Sequence, residues 1–219
     1  MTVETGDVFI TEAFRVPGCL GAVLAGGGSR RMDGRSKALL DLAGQTMLQR
    51  VIDRLAPQAA SLVLSVDRQR EEYCAFGLEQ VPDLRPDCGP LGGLASVLER
   101  AAGAWEWVLL TPCDAPFVPK DLGRRLYQAV GRAQATVAVV RYGSRLQPVF
   151  SIWHVSLLEV VRKSVMERGM AGFRQFLGER DYCILEWPEA GANPFFNVND
   201  SAALQRARRR AGMHEEKHA

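Results

Sequence analysis

Short, nearly unbroken apolar runs recur along the chain as CLGAVLA at 19–25, SLVLSV at 61–66, WVLLT at 107–111 and ATVAVV at 135–140. None shows the in-out alternation of a half-exposed strand, so each predicts a strand buried on both faces. Between them, TMLQRVIDRLAPQ, LGGLASVLERAAG and LGRRLYQAVGRA repeat apolar residues at helical spacing, with Pro57 and Gly103 near plausible ends. This alternation predicts an α/β fold, a three-layer Rossmann-like arrangement with a mostly parallel sheet and helices on both faces. The second half is less regular. QPVFSIWHVSLLEVV reads as a strand running into a helix, GMAGFRQFL as a short helix, YCILEW as a strand, and the end as a helix passing into a tail. The expected organisation is an N-terminal extension over 1–17, one domain over 18–210 and a charged tail over 211–219.

Composition narrows the class without changing the fold. At 219 residues, 47% hydrophobic and 24% charged, the chain has enough apolar material for one sizeable core. A formal charge of +2 does not make nucleic acid a default partner. Five cysteines with no C-x-x-C pair suggest neither a disulfide framework nor a zinc ribbon. No run approaches the roughly 20 apolar residues of a membrane span, and the start lacks a basic export signal. The expectation is a cytoplasmic protein with no membrane partner.

Candidate chemistry begins where the first strand ends. Gly26, Gly27 and Gly28 follow Leu24 and Ala25 and let the backbone approach a ligand and turn N–H groups towards an anion. Arg30, Arg31, Arg35 and Lys37 then supply cations suited to a polyphosphate. The commoner nucleotide motifs fail here. A P-loop needs Gly before its Lys and Ser or Thr after, whereas Lys37 stands between Ser36 and Ala38. A dinucleotide fingerprint begun at Gly26 or Gly28 needs a final Gly or Ala and meets Arg31 or Asp33.

Two more strand ends carry polar residues. Asp114 follows WVLLT, stiffened by Pro112 and Pro116, and a carboxylate there can hold Mg²⁺ against phosphate oxygens. Asp121 is expected to cap the next helix, and Cys113 to pack rather than react. Asp83 precedes a glycine-rich helix start at Gly89, Gly92 and Gly93, whose free N–H groups suit a base or phosphate. Near the end, Asn197 and Asn199 can orient phosphates, with Asp200 or Ser201 capping the following helix; for Asn199, capping and catalysis fit equally. The tail string HEEKH matches a zinc-protease pattern but has no apolar helix face and no third ligand, and His154 reads as structural.

These segments together resemble the molybdenum cofactor guanylyltransferases, nucleotidyltransferases that attach GMP to molybdopterin. The glycine pattern stands as Leu24-Ala25-Gly26-Gly27-Gly28-Ser29-Arg30-Arg31-Met32 followed by Lys37, with Asp33 placed before Gly34 as a small departure. Pro112-Cys113-Asp114-Ala115-Pro116-Phe117, Gln147-Pro148 and Asn197-Val198-Asn199 are similar to further family segments. The resemblance implies GTP contacts at Leu24, Ala25, Gly26, Gly27, Lys37, Ser65, Asp83, Gly89 and Asp114, with Lys37, Arg31 and Asp114 catalytic. It further implies Mg²⁺ on Asp114, an acceptor side at Asn197 and Asn199, and molybdopterin as acceptor, with insertion proteins or apo-molybdoenzymes receiving the product. The family often has Asn where Ser65 stands, and a hydroxyl replaces a donor-acceptor pair there, so a cytidylyltransferase stays open. A sugar-nucleotide pyrophosphorylase is further away, since Ser36 stands where those enzymes usually have Pro before the lysine. A non-catalytic GTP-binding module leaves Asp114 and the asparagine pair without a purpose.

Overall fold

The computed structural model describes residues 14–26 and 36–215, with side chains given as far as residue 212. The strands and helices are β1 Cys19–Leu24, β2 Asp41–Leu42, β3 Gln45–Thr46, α1 Met47–Leu55, β4 Ser61–Val66, β5 Glu79–Pro82, α2 Gly89–Ala101, β6 Trp107–Pro112 and α3 Leu122–Ala133. After them come β7 Val137–Tyr142, β8 Arg145–His154, α4 Leu158–Met166, α5 Phe173–Leu177, β9 Cys183–Trp187 and α6 Ser201–Glu215. Seven strands form one sheet in the order β5-β4-β1-β6-β8-β7-β9, and β2 pairs with β3 in a separate hairpin.

Unbroken apolar runs form this sheet because both faces are covered. In β1, Cys19 and Val23 join the core against α1 and α3, while Leu20 and Ala22 face the core beneath α2, α4 and α5. Trp107 and Leu109 of β6 divide from Val108 and Leu110 in the same way. A third cluster packs α6 through Leu204, Ala207 and Ala211 onto Leu42, Met47 and Phe117, so the last helix is tied to the strand-end loops.

Only β8 runs against the rest, pairing antiparallel with β6 and β7. Its cause is a two-residue hairpin: Tyr142 pairs with Arg145, and Gly143 between them has φ +57°, a conformation glycine adopts freely. Helix boundaries follow local chemistry. Thr46 Oγ1 accepts from Gln49 N at 3.1 Å to cap α1, and the chain tightens into a 3-10 turn at Ala56–Gln58 around Pro57.

Asp121 occupies the cap position of α3 but corrects the expectation, because its side chain makes no cap bond and instead accepts from Arg125 Nε at 2.6 Å. The cap comes from afar. Buried Gln58 accepts from Gly123 N at 2.7 Å and donates to the Arg54 and Pro119 carbonyls at 2.7 and 2.9 Å.

Candidate active site

The strand order reverses at β1: successive strands move outward through β4 to β5, then return to the other side with β6. The crevice at the carboxyl ends of β1, β4 and β6 is therefore where an open α/β sheet offers a ligand site. Backbone bonds weld these ends together, with Ala25 N donating to Ser65 O at 2.8 Å, Cys113 N to Leu24 O at 3.0 Å and Asp83 N to Val66 O at 2.8 Å.

Leu24, Ala25 and Gly26 lie on this edge, whereas Gly27 and Arg31, with the rest of 27–35, lie outside the described residues. At Gly26 an added Cβ would stand 2.5 Å from Asp67 N, so any side chain there would push β1 from β4. Lys37 opens a 3-10 turn that ends at Leu39. Lys37 Nζ donates to Asn199 Oδ1 at 3.3 Å, joining residues 162 positions apart. Asp114 sits under the same segment, its carbonyl accepting from Val198 N at 2.8 Å. Burial pushes the Asp114 carboxyl up, and the Lys37 charge pulls it partly back.

Asn197 leaves its Oδ1 buried with no hydrogen-bond partner. Such a group is expensive to bury unless something supplies a donor or a cation. Asp200, by contrast, is a plain cap: its Oδ1 accepts from Ala203 N at 2.6 Å at the start of α6.

On the other side of β1, α2 lies close to the strand ends. A Cβ on Gly93 would meet Ser65 Oγ at 2.5 Å and Leu24 Cδ2 at 3.1 Å, with Asp83 Oδ1 at 3.4 Å. Ser65 is buried beneath this helix. Gly93→Ala is expected to destabilise the fold by about 1–3 kcal/mol, read from a urea unfolding midpoint, because the buried Ser65 hydroxyl lies too close to a new methyl and must be displaced within packed surroundings. Gly89 has φ +63° and faces Ala171, whose carbonyl would lie 2.6 Å from an added Cβ and accepts from Leu91 N at 3.0 Å. Part of the free amino end of α2 is thus already served by the protein.

Asp83 is the most perturbed acid at this edge. Burial raises its carboxyl to about 6, the Cys88 hydrogen bond opposes the rise, and the Asp67 charge adds to it. The folded chain holds this proton more tightly than the unfolded chain, so its stabilising contribution is present in acid and lost as pH rises through about 6. Asp83→Asn is therefore expected to stabilise the unliganded protein at pH 7.5 by roughly 1–2 kcal/mol, discounted for partial exposure, with little gain at pH 4. Denaturant titrations of both proteins at the two pH values check it.

Two further residues stand at this edge outside the motifs singled out in the sequence. Asp67, just past β4, accepts from Arg70 Nη2 at 2.8 Å, and Tyr73 lies wholly buried behind it. Burial alone would raise the Asp67 carboxyl, but the Arg70 hydrogen bond and charge carry it below its ordinary value. The end of the SLVLSV run points to Asp67; nothing local points to Tyr73.

Other candidates fall away from the crevice. Cys113 is buried and its thiol is pushed far up by desolvation, which suits packing and not nucleophilic attack. His154 shares Nδ1 with Ser156 Oγ at 2.8 Å and packs edge-on to Trp107, a structural role. The HEEKH string runs into residues outside those described, and among the described residues no three of His, Cys, Asp and Glu gather to hold a metal. No described helix is long and apolar enough to cross a membrane. A groove of about 710 Å³, lined by Phe14, Trp107 and Tyr127 among others, opens near the amino end of β6, opposite the crevice.

Residues 21–183 match a family model described as a MobA-like NTP transferase domain. A molybdenum cofactor guanylyltransferase of Nitrobacter hamburgensis is 35% identical over 202 residues, 90% of this chain and 97% of that relative. Among solved structures, molybdopterin-guanine dinucleotide biosynthesis protein A from Archaeoglobus fulgidus superposes with a TM-score of 0.72 at 20% identity, covering 89% of this chain and 99% of that one. A Mycobacterium tuberculosis protein solved in complex with manganese shares the fold at a TM-score of 0.63 and 20% identity, covering 87% of this chain and 98% of that one. Nearly end-to-end similarity, laid over a sheet whose carboxyl edge gathers the motifs, places this chain in the molybdenum cofactor guanylyltransferase family, on a MobA-like NTP transferase domain.

Proposed function

We propose that this protein transfers GMP from GTP to molybdopterin, giving molybdopterin guanine dinucleotide and pyrophosphate. The observation that carries this reading is the meeting of Lys37, Asn199 and Asp114 at one strand edge, from three distant stretches of chain. A phosphate-binding module alone needs the lysine and the glycines. A transferase also needs a carboxylate beside them and a second polar segment for an acceptor.

In this reading the terminal phosphate of molybdopterin attacks the α-phosphorus, one P–O bond forms, and the bond to the bridging oxygen of pyrophosphate breaks. Phosphate is already a competent nucleophile at neutral pH, so positioning and charge stabilisation dominate. Leu24, Ala25, Gly26 and Gly27 line the polyphosphate, Lys37 and Arg31 offset its charge, Asp83, Ser65 and Gly89 border the nucleoside, and Asn197 and Asn199 face the acceptor.

Asp114 supplies one carboxylate, and the orphaned Asn197 Oδ1 supplies a neutral oxygen in the adjoining segment. That sparse donor set fits Mg²⁺, which keeps waters and takes phosphate oxygens beside one or two carboxylates. When bound, the ion would polarise the reacting phosphate and offset charge on it. The product would pass to insertion proteins or apo-molybdoenzymes.

Incubation with molybdopterin, Mg²⁺ and each nucleoside triphosphate separately, followed by mass analysis, tests the reading. The GMP adduct is expected with GTP. A CMP adduct in its place, or no adduct with any triphosphate, refutes it.

A further inference from the structure

Tyr73 sits in the 3-10 segment Glu71–Phe76, between β4 and β5, and its side chain is fully buried. Its hydroxyl lies 2.7 Å from Ser36 Oγ and donates to the Ala25 carbonyl at 3.4 Å. Ala25 is the last residue but one before the stretch 27–35, and Ser36 is the first after it. One phenol therefore touches both flanks of the glycine and arginine stretch.

The proton pattern follows from the acceptor. A carbonyl oxygen only accepts, so the phenolic proton points to Ala25 and Ser36 donates its own proton to the phenol oxygen. Burial pushes the phenol up, so it keeps its proton throughout the physiological range.

The ring is braced from behind. Phe76 packs against it at 6.2 Å, and the Arg70 guanidinium lies 5.8 Å from its centre. Arg70 is itself held by Asp67 at 2.8 Å and, through its backbone N–H, by Gln80 Oε1 at 2.8 Å. Asp67 N in turn abuts Gly26. The brace and the flanks it joins thus lie along the same carboxyl edge of the sheet, past β1 and β4.

We propose that Tyr73 is a positioning residue for nucleotidyl transfer: its hydroxyl ties Ala25 to Ser36 and so sets Lys37, the next residue, where it meets Asn199 and Asp114. This rests on the transferase reading above. A tyrosine that merely fills the core would serve equally well as phenylalanine, since the ring carries the packing.

Tyr73→Phe and Ser36→Ala, singly and together, separate the two roles. With GTP and molybdopterin, each single variant is expected to lose roughly fivefold to tenfold in kcat, the scale of one hydrogen bond, with a smaller change in KM. The double variant should be no worse than either single one, because both remove the same tie. Labelling of Lys37 by an amine-directed reagent, followed by peptide mass analysis, reads its placement without turnover and should be faster in Tyr73→Phe. Wild-type kcat and labelling rate in Tyr73→Phe, or additive losses in the double variant, overturn the proposal. Absence of GMP transfer by the unaltered protein would overturn the transferase reading, while the labelling comparison would still decide whether Tyr73 places Lys37.

Discussion

Asp114→Ala is expected to cut Mg²⁺-dependent GMP transfer by at least ~10²-fold, the usual scale for losing one preorganised charge at a reacting phosphate. Turnover measured across a magnesium series checks it, and an unchanged magnesium response would place the metal elsewhere. Folding must be separated from chemistry, and the charge of this carboxyl permits that. Burial raises its pKa above the ordinary value, with Lys37 opposing the rise, so its contribution to stability is greatest in acid and falls as pH climbs through the folded value. The isosteric Asp114→Asn should then be at least as stable as the native protein at neutral pH while being as inactive as the alanine variant. Loss of activity with a retained unfolding midpoint assigns the effect to the reaction.

Removing Lys37 should reach the same scale by another route. Lys37→Ala is expected to lower kcat/KM for GTP by ~10²–10³ and to leave the fold in place, because the side chain is partly exposed and its hydrogen bond goes to a surface asparagine. It also removes the charge that draws the Asp114 carboxyl down. In unliganded protein the variant should therefore lose some stability at pH 7 and very little in acid, a difference visible in urea titrations at the two pH values. Native kcat/KM in this variant would remove Lys37 from the mechanism.

Much of this architecture is legible locally. The LGRRLYQAVGRA pattern coincides with α3, Leu122–Ala133, and SLVLSV with β4, Ser61–Val66, because their burial depends mainly on periodicity along one element. The direction of β8 was also local, lying in the Tyr142-Gly143-Ser144-Arg145 turn, but an apolar run by itself does not reveal direction. The capping of α3 was not local. Asp121 has the right chemistry at the right position, yet Arg125 one turn ahead competes for it, and Gln58 arrives from another segment to serve Gly123.

The candidate site divides along the same line. Residue type and position along the chain are enough to nominate candidates for phosphate or metal: glycines that admit a close backbone, a lysine after them, and an aspartate past an apolar strand. Each depends on residue type and on position relative to its own strand, information that a few neighbouring residues contain. Packing between distant segments, by contrast, brings Lys37 to Asn199 across 162 positions, lifts Asp83 to about 6, and sets Ser65 Oγ 2.5 Å from where a Cβ on Gly93 would stand. Tyr73 belongs wholly to that second group. Its hydroxyl matters through two partners, one before the glycine stretch and one after it, and sheet order and packing bring such partners together where periodicity along the chain does not.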